Sequence, residues 1–218
     1  PNVRATEVEI YEGLEASSQN CWPSVNFDIG GINNAISAFL PAGFYYKTFM
    51  WPASFWEKYE YVIRHSAGLG KSPTEKDPDV YDHRYIHCDV LVVGAGISGI
   101  LAAKNAAKNN LKTLLVDEKN ELGGSTIYQN REFNKIENQS SSDWLKKEIK
   151  ELKNIKNLEI KTRTSVAAFH GYNYLLAREN LTDHLEKKDK LEKIRQRLLK
   201  IRAKKVILAT GALERPLI

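Results

Sequence analysis

The amino-acid sequence predicts an α/β fold built on a parallel sheet, and three stretches predict it. Residues 88–120, CDVLVVGAGISGILAAKNAAKNNLKTLLVDEKN, read in order as strand, glycine-rich turn, helix and strand. Gly123-Gly124 follow at once, and KKVILATG at residues 204–211 reads as a later strand running into a Thr-Gly turn. The first strand, Val90 to Val93, is apolar at every position. A strand covered on both faces of a parallel sheet has that texture. The Ala-rich helix runs from about Ser98 to Asn109, and the second strand from Lys112 to Asp117. The result is a Rossmann-like βαβ unit.

The segments before it are of another kind. Residues 1 to about 43 read as irregular, punctuated by Gly30-Gly31 and Pro41-Ala42-Gly43. An aromatic block, Phe44 to Tyr61, leads into a helix in which Phe55, Tyr59, Val62 and Ile63 share a face. Ser54 is its expected N-cap and Gly68 its stop. Aromatics at that density belong to a core or to an interface. Residues 71–87 are polar, contain two prolines and read as a linker or surface loop. These features divide the chain into an N-terminal helical, aromatic-rich segment, 1–87, and a nucleotide-binding domain, 88–218.

Beyond Gly124, a helix from about Ser142 to Lys153 carries Trp144, Leu145 and Ile149. Leu158, Ile160 and Thr162 alternate with charges, as on a half-buried strand. Val166–Phe169 and Tyr172–Ala177 flank His170-Gly171, which reads as a two-residue hairpin turn and a small β-hairpin insertion. Leu191, Ile194, Leu198 and Ile201 recur at helical spacing, so an amphipathic helix with a basic face is expected there. The last strand is Lys205 to Ala209. A sheet strand facing a ligand, followed so soon by the end of the sequence, raises the expectation of an incomplete domain and a section of a longer subunit.

Gly94, Gly96 and Gly99 fill the pattern G-x-G-x-x-G, with Ala95, Ile97 and Ser98 between them. The first glycine allows the tight turn out of the strand, the second lets a pyrophosphate approach the backbone, and the third lets the helix pack on the sheet. The helix N-terminus supplies free N–H groups to the phosphates. Asp117 ends the second strand 18 residues after Gly99, where a carboxylate accepts the ribose hydroxyls of an adenosine and repels a 2′-phosphate. Its neighbour Glu118 fills the role if the register slips by one. Gly123, Gly124, Thr210 and Gly211 complete the motif set.

Other chemistries find less support. Hydrophobic residues make up 42 % and charged residues 27 % of the 218, which describes a globular chain. No run of 18 apolar residues exists, so no membrane span is expected. The two cysteines, Cys21 and Cys88, suit a reducing compartment, with the cytoplasm as the default. Neither has the spacing of a redox pair, and Cys88 reads as a core residue. Asp82, His83, His87 and Cys88 hold metal-ligating atoms, but on an extended strand they do not converge on one ion. The net charge of +5 is local: residues 187–205 hold ten Lys or Arg against two acids, and the remainder sums to −3. That segment has no interleaved aromatics, so a solvated basic face or a contact for an acidic partner is expected rather than nucleic acid. No Ser/His/Asp set suggests a hydrolase.

The motifs DVLVVGAGISGILAA, LLVDEKNELGGS and RAKKVILATGALERPLI resemble the two-dinucleotide-binding flavoprotein superfamily. RATEVEIYEGLEASSQNCWPS, GFYYKTFMWPASFWEKYEYVIRHSAGLG and DPDVYDHRYIHCDVLVVG narrow this, because they are similar to the alpha subunits of heterotetrameric sarcosine oxidases. Opine oxidase and hydrogen cyanide synthase subunits are cousins. The resemblance runs along nearly the whole chain. It implies a longer subunit that also carries a folate-binding domain, with beta, gamma and delta subunits as partners. It implies NAD as the dinucleotide here, with FAD and a covalent FMN in or shared with the beta subunit. The implied reaction takes sarcosine oxidatively to glycine, reduces oxygen to peroxide and passes a one-carbon unit to tetrahydrofolate. The residues it assigns to the nucleotide are Gly94, Gly96, Gly99, Asp117 or Glu118, Gly123, Gly124, Thr210 and Gly211. Val166 is a weaker candidate for backbone contact with adenine. It assigns no catalytic residue within this chain.

Two further readings stay open at this level. One is the FAD-binding domain of a related amine-, opine- or glycine-oxidising dehydrogenase. The other is a non-catalytic module that holds a dinucleotide for structure.

Overall fold

The computed structural model describes residues 8–18, 21–32, 51–69, 74–128, 135–186 and 193–212. The chain forms two compact units, Pro1–Pro78 and Asp79–Ile218. In the first unit, the Asp28 carboxylate accepts the N–H groups of Trp22 at 3.1 Å and Gly30 at 2.9 Å and caps a 3-10 turn, Ile29–Gly31. A second 3-10 turn, Ala53–Phe55, opens helix α1, Trp56–Ser66. Ser54 lies inside that turn and caps nothing; Pro52 and Phe55 take the cap positions without side-chain bonds. Gly68, at φ 65°, ends the helix as expected. Of the aromatic block, residues 44–50 lie outside the described residues, and Trp51, Phe55, Trp56 and Tyr61 are exposed.

The second unit runs β1 (Val80–Val93), α2 (Ile97–Lys108), β2 (Thr113–Val116), β3 (Lys135–Ile136), β4 (Gln139–Ser140) and α3 (Ser141–Leu152). Then come β5 (Leu158–Lys161), β6 (Thr164–His170), β7 (Tyr174–Asn180) and β8 (Ile194–Leu208). Six strands form one sheet in the order β5-β2-β1-β8-β7-β6. The first four are parallel and the last three form an antiparallel meander. β3 and β4 make a separate short hairpin.

One face of the parallel sheet buries Val90, Val92 and Leu115 against Ile100 and Ala103 of α2 and Trp144, Leu145 and Leu152 of α3. The side chain of Ser140 caps α3 by accepting the N–H of Asp143 at 3.1 Å. Lys104 of α2 bridges Glu148 at 2.6 Å and Glu151 at 2.7 Å on α3, so the two helices are also joined by charge. The other face buries Leu91, Val93, Leu114 and Val116 against Leu175, Ala177, Leu199 and Ile201 of the meander.

β1 and β8 reach both layers because they kink together. Ile86 and Cys88 point into the same cluster as Leu91 and Val93, although side chains of a regular strand alternate. β8 makes the same switch, from Ala203 to Val206. The register is kept across it, with Cys88 opposite Ala203 and Val90 opposite Lys205. Asp89 and Lys204 sit at the switch and are ion-paired at 2.7 Å. The Asp89 carboxylate also accepts the Lys112 N–H at 2.8 Å, which ties the kink to the start of β2. These two hydrogen bonds, Lys204 first, hold its carboxyl below the usual range.

Three expectations are overturned here. The expected linker 71–87 is strand from Val80 onward, and that strand lies within the compact unit Asp79–Ile218. The expected basic helix is the first half of β8; Leu191 lies outside the described residues. Leu199, Ile201 and Ala203 are its buried positions, at period two, while Leu198 is 41 % exposed. The hairpin turn is longer than two residues: Gly171–Asn173 form a 3-10 turn in which Tyr172 and Asn173 adopt positive φ of 58° and 51°. The pair His170–Tyr174 closes it.

Acids take up the charge of the inward-facing arginines of β8. Arg197 donates to Asp82 at 2.8 Å and to Glu179 at 3.1 Å, and Lys161 of β5 meets Glu179 at 2.8 Å. Arg197 and Glu179 are 11 % and 10 % exposed. Arg195 is held by Asp79 and Asp183. No helix among the described residues is long and apolar enough to cross a membrane.

Removing one partner of a nearly buried ion pair strands the other charge. Arg197→Ala is expected to cost about 3 kcal/mol in urea unfolding of the full-length protein, with an unchanged denaturant slope. A loss under about 1 kcal/mol would show that the ladder is solvated. Burial pushes the Cys88 thiol up to about 11. Its neutral form is the one the fold prefers, so its contribution is complete below about pH 9 and fades as pH rises towards 11. Cys88 is expected to resist iodoacetamide at pH 8 in the native protein and to react once urea unfolds it.

Candidate functional site

The C-terminal ends of β1, β2 and β8 meet at one place. β1 has β2 on one side and β8 on the other, so the chain leaves it in two directions, and a crevice opens where it does. Gly94 turns out of β1 with φ 99°. Its N–H donates to the Val116 carbonyl at 2.8 Å, and the Ala209 N–H donates to the Val93 carbonyl at 2.8 Å. A Cβ on Gly94 would overlap the Ala209 carbonyl oxygen, and Thr210 Cα lies 3.1 Å from that position. Glycine is required there by both space and φ.

The next two motif glycines differ in a way that bears on function. A Cβ on Gly99 would overlap the Gly94 carbonyl oxygen, so Gly99 is needed for α2 to sit this close to the turn. A Cβ on Gly96 would meet nothing within 4 Å. The fold itself does not require a glycine at 96. Gly96 is the N-cap of α2 and offers no side chain to it, so no side chain occupies the first-turn N–H groups.

Asp117 follows β2 and turns back to this loop. Its Oδ2 accepts the Ala95 N–H at 2.5 Å and its Oδ1 accepts the Lys119 N–H at 2.8 Å. A carboxylate has about four acceptor positions, so two remain. Glu118 is exposed and lies 3.8 Å from the Lys119 ammonium. The acid that reaches the glycine loop is therefore Asp117. The Gly-Gly turn is drawn in as well: the Gly123 N–H donates to the Ala95 carbonyl at 2.7 Å, and a Cβ on Gly124 would stand 3.0 Å from Gly96 Cα. Gly123 and Gly124 have φ of 132° and 57°.

Ala95 and Gly99 are buried, Ile97 is half-buried and Ser98 is exposed, which leaves the loop an open shelf. Thr210 and Gly211 are exposed at the end of β8, with Gly211 at φ 74°. Val166 turns its side chain to the core, beside a register shift between Val166 and Ala168, so only its backbone is on offer. The start of β6 is tied to the acid, since the Thr164 N–H donates to the Asp117 carbonyl at 2.7 Å.

Arg163 is a residue that sequence reasoning missed. In a left-handed conformation, φ 51°, it donates its N–H to the Lys119 carbonyl at 2.8 Å and accepts the Asn180 N–H at 2.9 Å. It clamps the loop after Asp117 to the meander. The shortness of the link between β5 and β6 was the available signal.

The metal-like cluster does not assemble: Asp82 pairs with Arg197 and Arg84. No group of three His, Cys, Asp or Glu able to hold an ion occurs among the described residues. A concavity at the opposite strand ends, lined by Tyr85, His87, Lys112, Glu159 and Leu199, gathers no motif residue.

A parallel sheet with a G-x-G-x-x-G turn at its switch point, an acid closing that turn and a Gly-Gly loop beneath it defines a dinucleotide-binding class. The chain belongs to the FAD dependent oxidoreductase family, whose sequence profile matches residues 89–208. It is 46 % identical over 219 residues to sarcosine oxidase subunit alpha of Rhizobium meliloti (strain 1021), a match covering 100 % of this chain and 22 % of that protein. Sarcosine oxidase subunit alpha of Corynebacterium sp. (strain P-1) is 38 % identical over 151 residues, 69 % of this chain and 15 % of that one. L-proline dehydrogenase from P. horikoshii is a solved structure with 23 % identity and a TM-score of 0.47 over 67 % of this chain and 27 % of its own.

The contrast between two glycines is directly testable. Gly96→Val in the full-length protein is expected to leave the melting temperature within about 2 °C and to abolish nucleotide retention. Gly99→Ala is expected to cost at least about 2 kcal/mol despite its better helix propensity, because the clash is with backbone. A Gly96→Val protein that still retains nucleotide would move the site elsewhere.

Proposed function

We propose that residues 88–211 bind a dinucleotide at the glycine loop, within the alpha subunit of a sarcosine oxidase-like complex. The observation that carries this reading is the open space at Gly96, enclosed by Asp117, Gly124 and the uncapped start of α2. In it, the N–H groups of Ile97, Ser98 and Gly99 receive the pyrophosphate. The free acceptor positions of Asp117 take the ribose hydroxyls and disfavour a 2′-phosphate. The Val166 backbone borders the adenine, while Thr210 and Gly211 border the remainder. Ala95 and Gly123 hold the loop to the acid and to the Gly-Gly turn. The bound dinucleotide supplies hydride-transfer chemistry through its nicotinamide or flavin ring.

NAD is the proposed occupant, because the similarity to sarcosine oxidase alpha subunits spans the whole chain. The family profile favours a second reading, FAD at the same loop. The whole protein's activity is proposed as oxidative demethylation of sarcosine to glycine, with peroxide formed and the one-carbon unit passed to tetrahydrofolate. FAD and FMN are then held in or with a beta subunit, and gamma and delta subunits complete the assembly. The two cysteines, which form no disulfide with each other, support a reducing compartment, the cytoplasm.

The test is an absorption spectrum of the full-length subunit purified without partners, followed by mass analysis of the nucleotide released on denaturation. A colourless protein releasing NAD is expected. A yellow protein releasing FAD would overturn NAD and put a flavin on Gly94–Gly99. Asp117→Ala is expected to weaken retention of whichever nucleotide is found by about 10- to 100-fold, as loss of hydrogen bonds to a charged group implies. Glu118→Ala is expected to leave it unchanged.

A further inference from the structure

Among the described residues of the second unit, the kinked ribbon has one broad face on which no other element of that unit packs. It is the outer face of β1, β8 and β7, opposite the face that carries Arg197, Leu199 and Ile201. Register defines its rows. His87, Arg202 and Tyr174 lie side by side, then Tyr85, Lys200 and Leu176, then His83, Leu198 and Arg178. No Asp or Glu occupies these rows. The acids of the same strands, Asp82 and Glu179, point inward to Arg197. The cations of the outer face therefore have no carboxylate beside them in the rows. Tyr85 is 66 % exposed and Leu198 is 41 % exposed, so the surface is apolar and aromatic as well as basic.

We infer that this face docks an acidic surface of a second polypeptide. Charge complementarity names the partner's sign: Arg178, Lys200 and Arg202 supply three positive charges across three rows. Tyr and Arg are the residues enriched at protein interfaces. The aromatic rings argue against a nucleic acid. Lys200 Nζ stands 4.9 Å over the Tyr85 ring and Arg202 stands 4.9 Å over the Tyr174 ring. Those ring faces are already covered, while single-stranded recognition needs open rings for base stacking. A protein carboxylate needs no ring face and reaches the guanidinium and ammonium edges directly.

The inference rests on the reading that the chain works inside a multi-subunit enzyme. It is tested on the native assembly with a water-soluble carbodiimide, which joins amines to carboxylates without a spacer. The Lys200 peptide is expected to be joined to an Asp or Glu of another polypeptide. Lys200→Glu/Arg202→Glu in the full-length subunit is expected to weaken that association at least ~100-fold at physiological salt. The milder Lys200→Gln/Arg202→Gln is expected to weaken it about 10-fold with an unchanged melting temperature, which separates docking from folding. An intact complex in which Lys200 is joined only within its own chain, or in which both variants assemble normally, would overturn this inference and leave the proposed function standing. A fully active subunit that purifies alone would overturn both. Nuclease-removable nucleic acid on this face would overturn the protein partner.

Discussion

The pairing of β1 with β8 is the constraint from which the second unit is built. Two strands of 14 and 15 residues run side by side through both layers of the core. Their upper halves are central strands of the nucleotide-binding sheet, and their lower halves are part of the meander that covers it. The common kink at Asp89 and Lys204 makes this possible without losing register. Because the kink reverses which side chains face inward, one continuous core holds Ile86 and Cys88 together with Leu91 and Val93. The glycine loop then sits where β1 ends, flanked by Val116 and Ala209, and its position is set by the ribbon beneath it.

The parts legible in the sequence are those set by local chemistry. Val90–Val93, the three glycines, the helix behind them and Asp117 lie within thirty residues and each carries its own physical reason. The parts that were not legible depend on partners far away in the chain. Ile194, Leu198 and Ile201 have helical spacing, yet Arg197, Leu199, Ile201 and Ala203 have strand spacing, and the two patterns overlap. The tertiary partners decide between them: Asp82 and Glu179 hold Arg197, and β1 pairs along the whole of β8. Val80 to His87 failed for the same reason. Its polar and aromatic residues show no alternation of burial, because one face is solvent and the other carries an ion-pair ladder.

Charge is partitioned across this sheet more sharply than the net value suggests. The inner face balances each cation with an acid, as groups near a core must be balanced. The outer face does not. The described cations of β8, read in the sequence as part of one solvated stripe, separate into inward ones, Arg195 and Arg197, that hold layers together and outward ones, Lys200 and Arg202, that remain available. The same division applies to the glycines. Gly94 and Gly99 are required by backbone contacts, and Gly96 by no contact of the fold.

The length of the β1–β8 ribbon also has a consequence for how the molecule is made. The two strands are more than a hundred residues apart in the chain. On a ribosome adding 5–20 residues per second, β1 waits roughly 5–20 seconds for its neighbour to emerge. During that interval the edge that β8 will cover, Val90 to Val93, is apolar and unsatisfied, the kind of edge that recruits other strands. The nascent chain thus carries a period of vulnerability written into its topology, and non-local pairing of this kind is intrinsically slow to form.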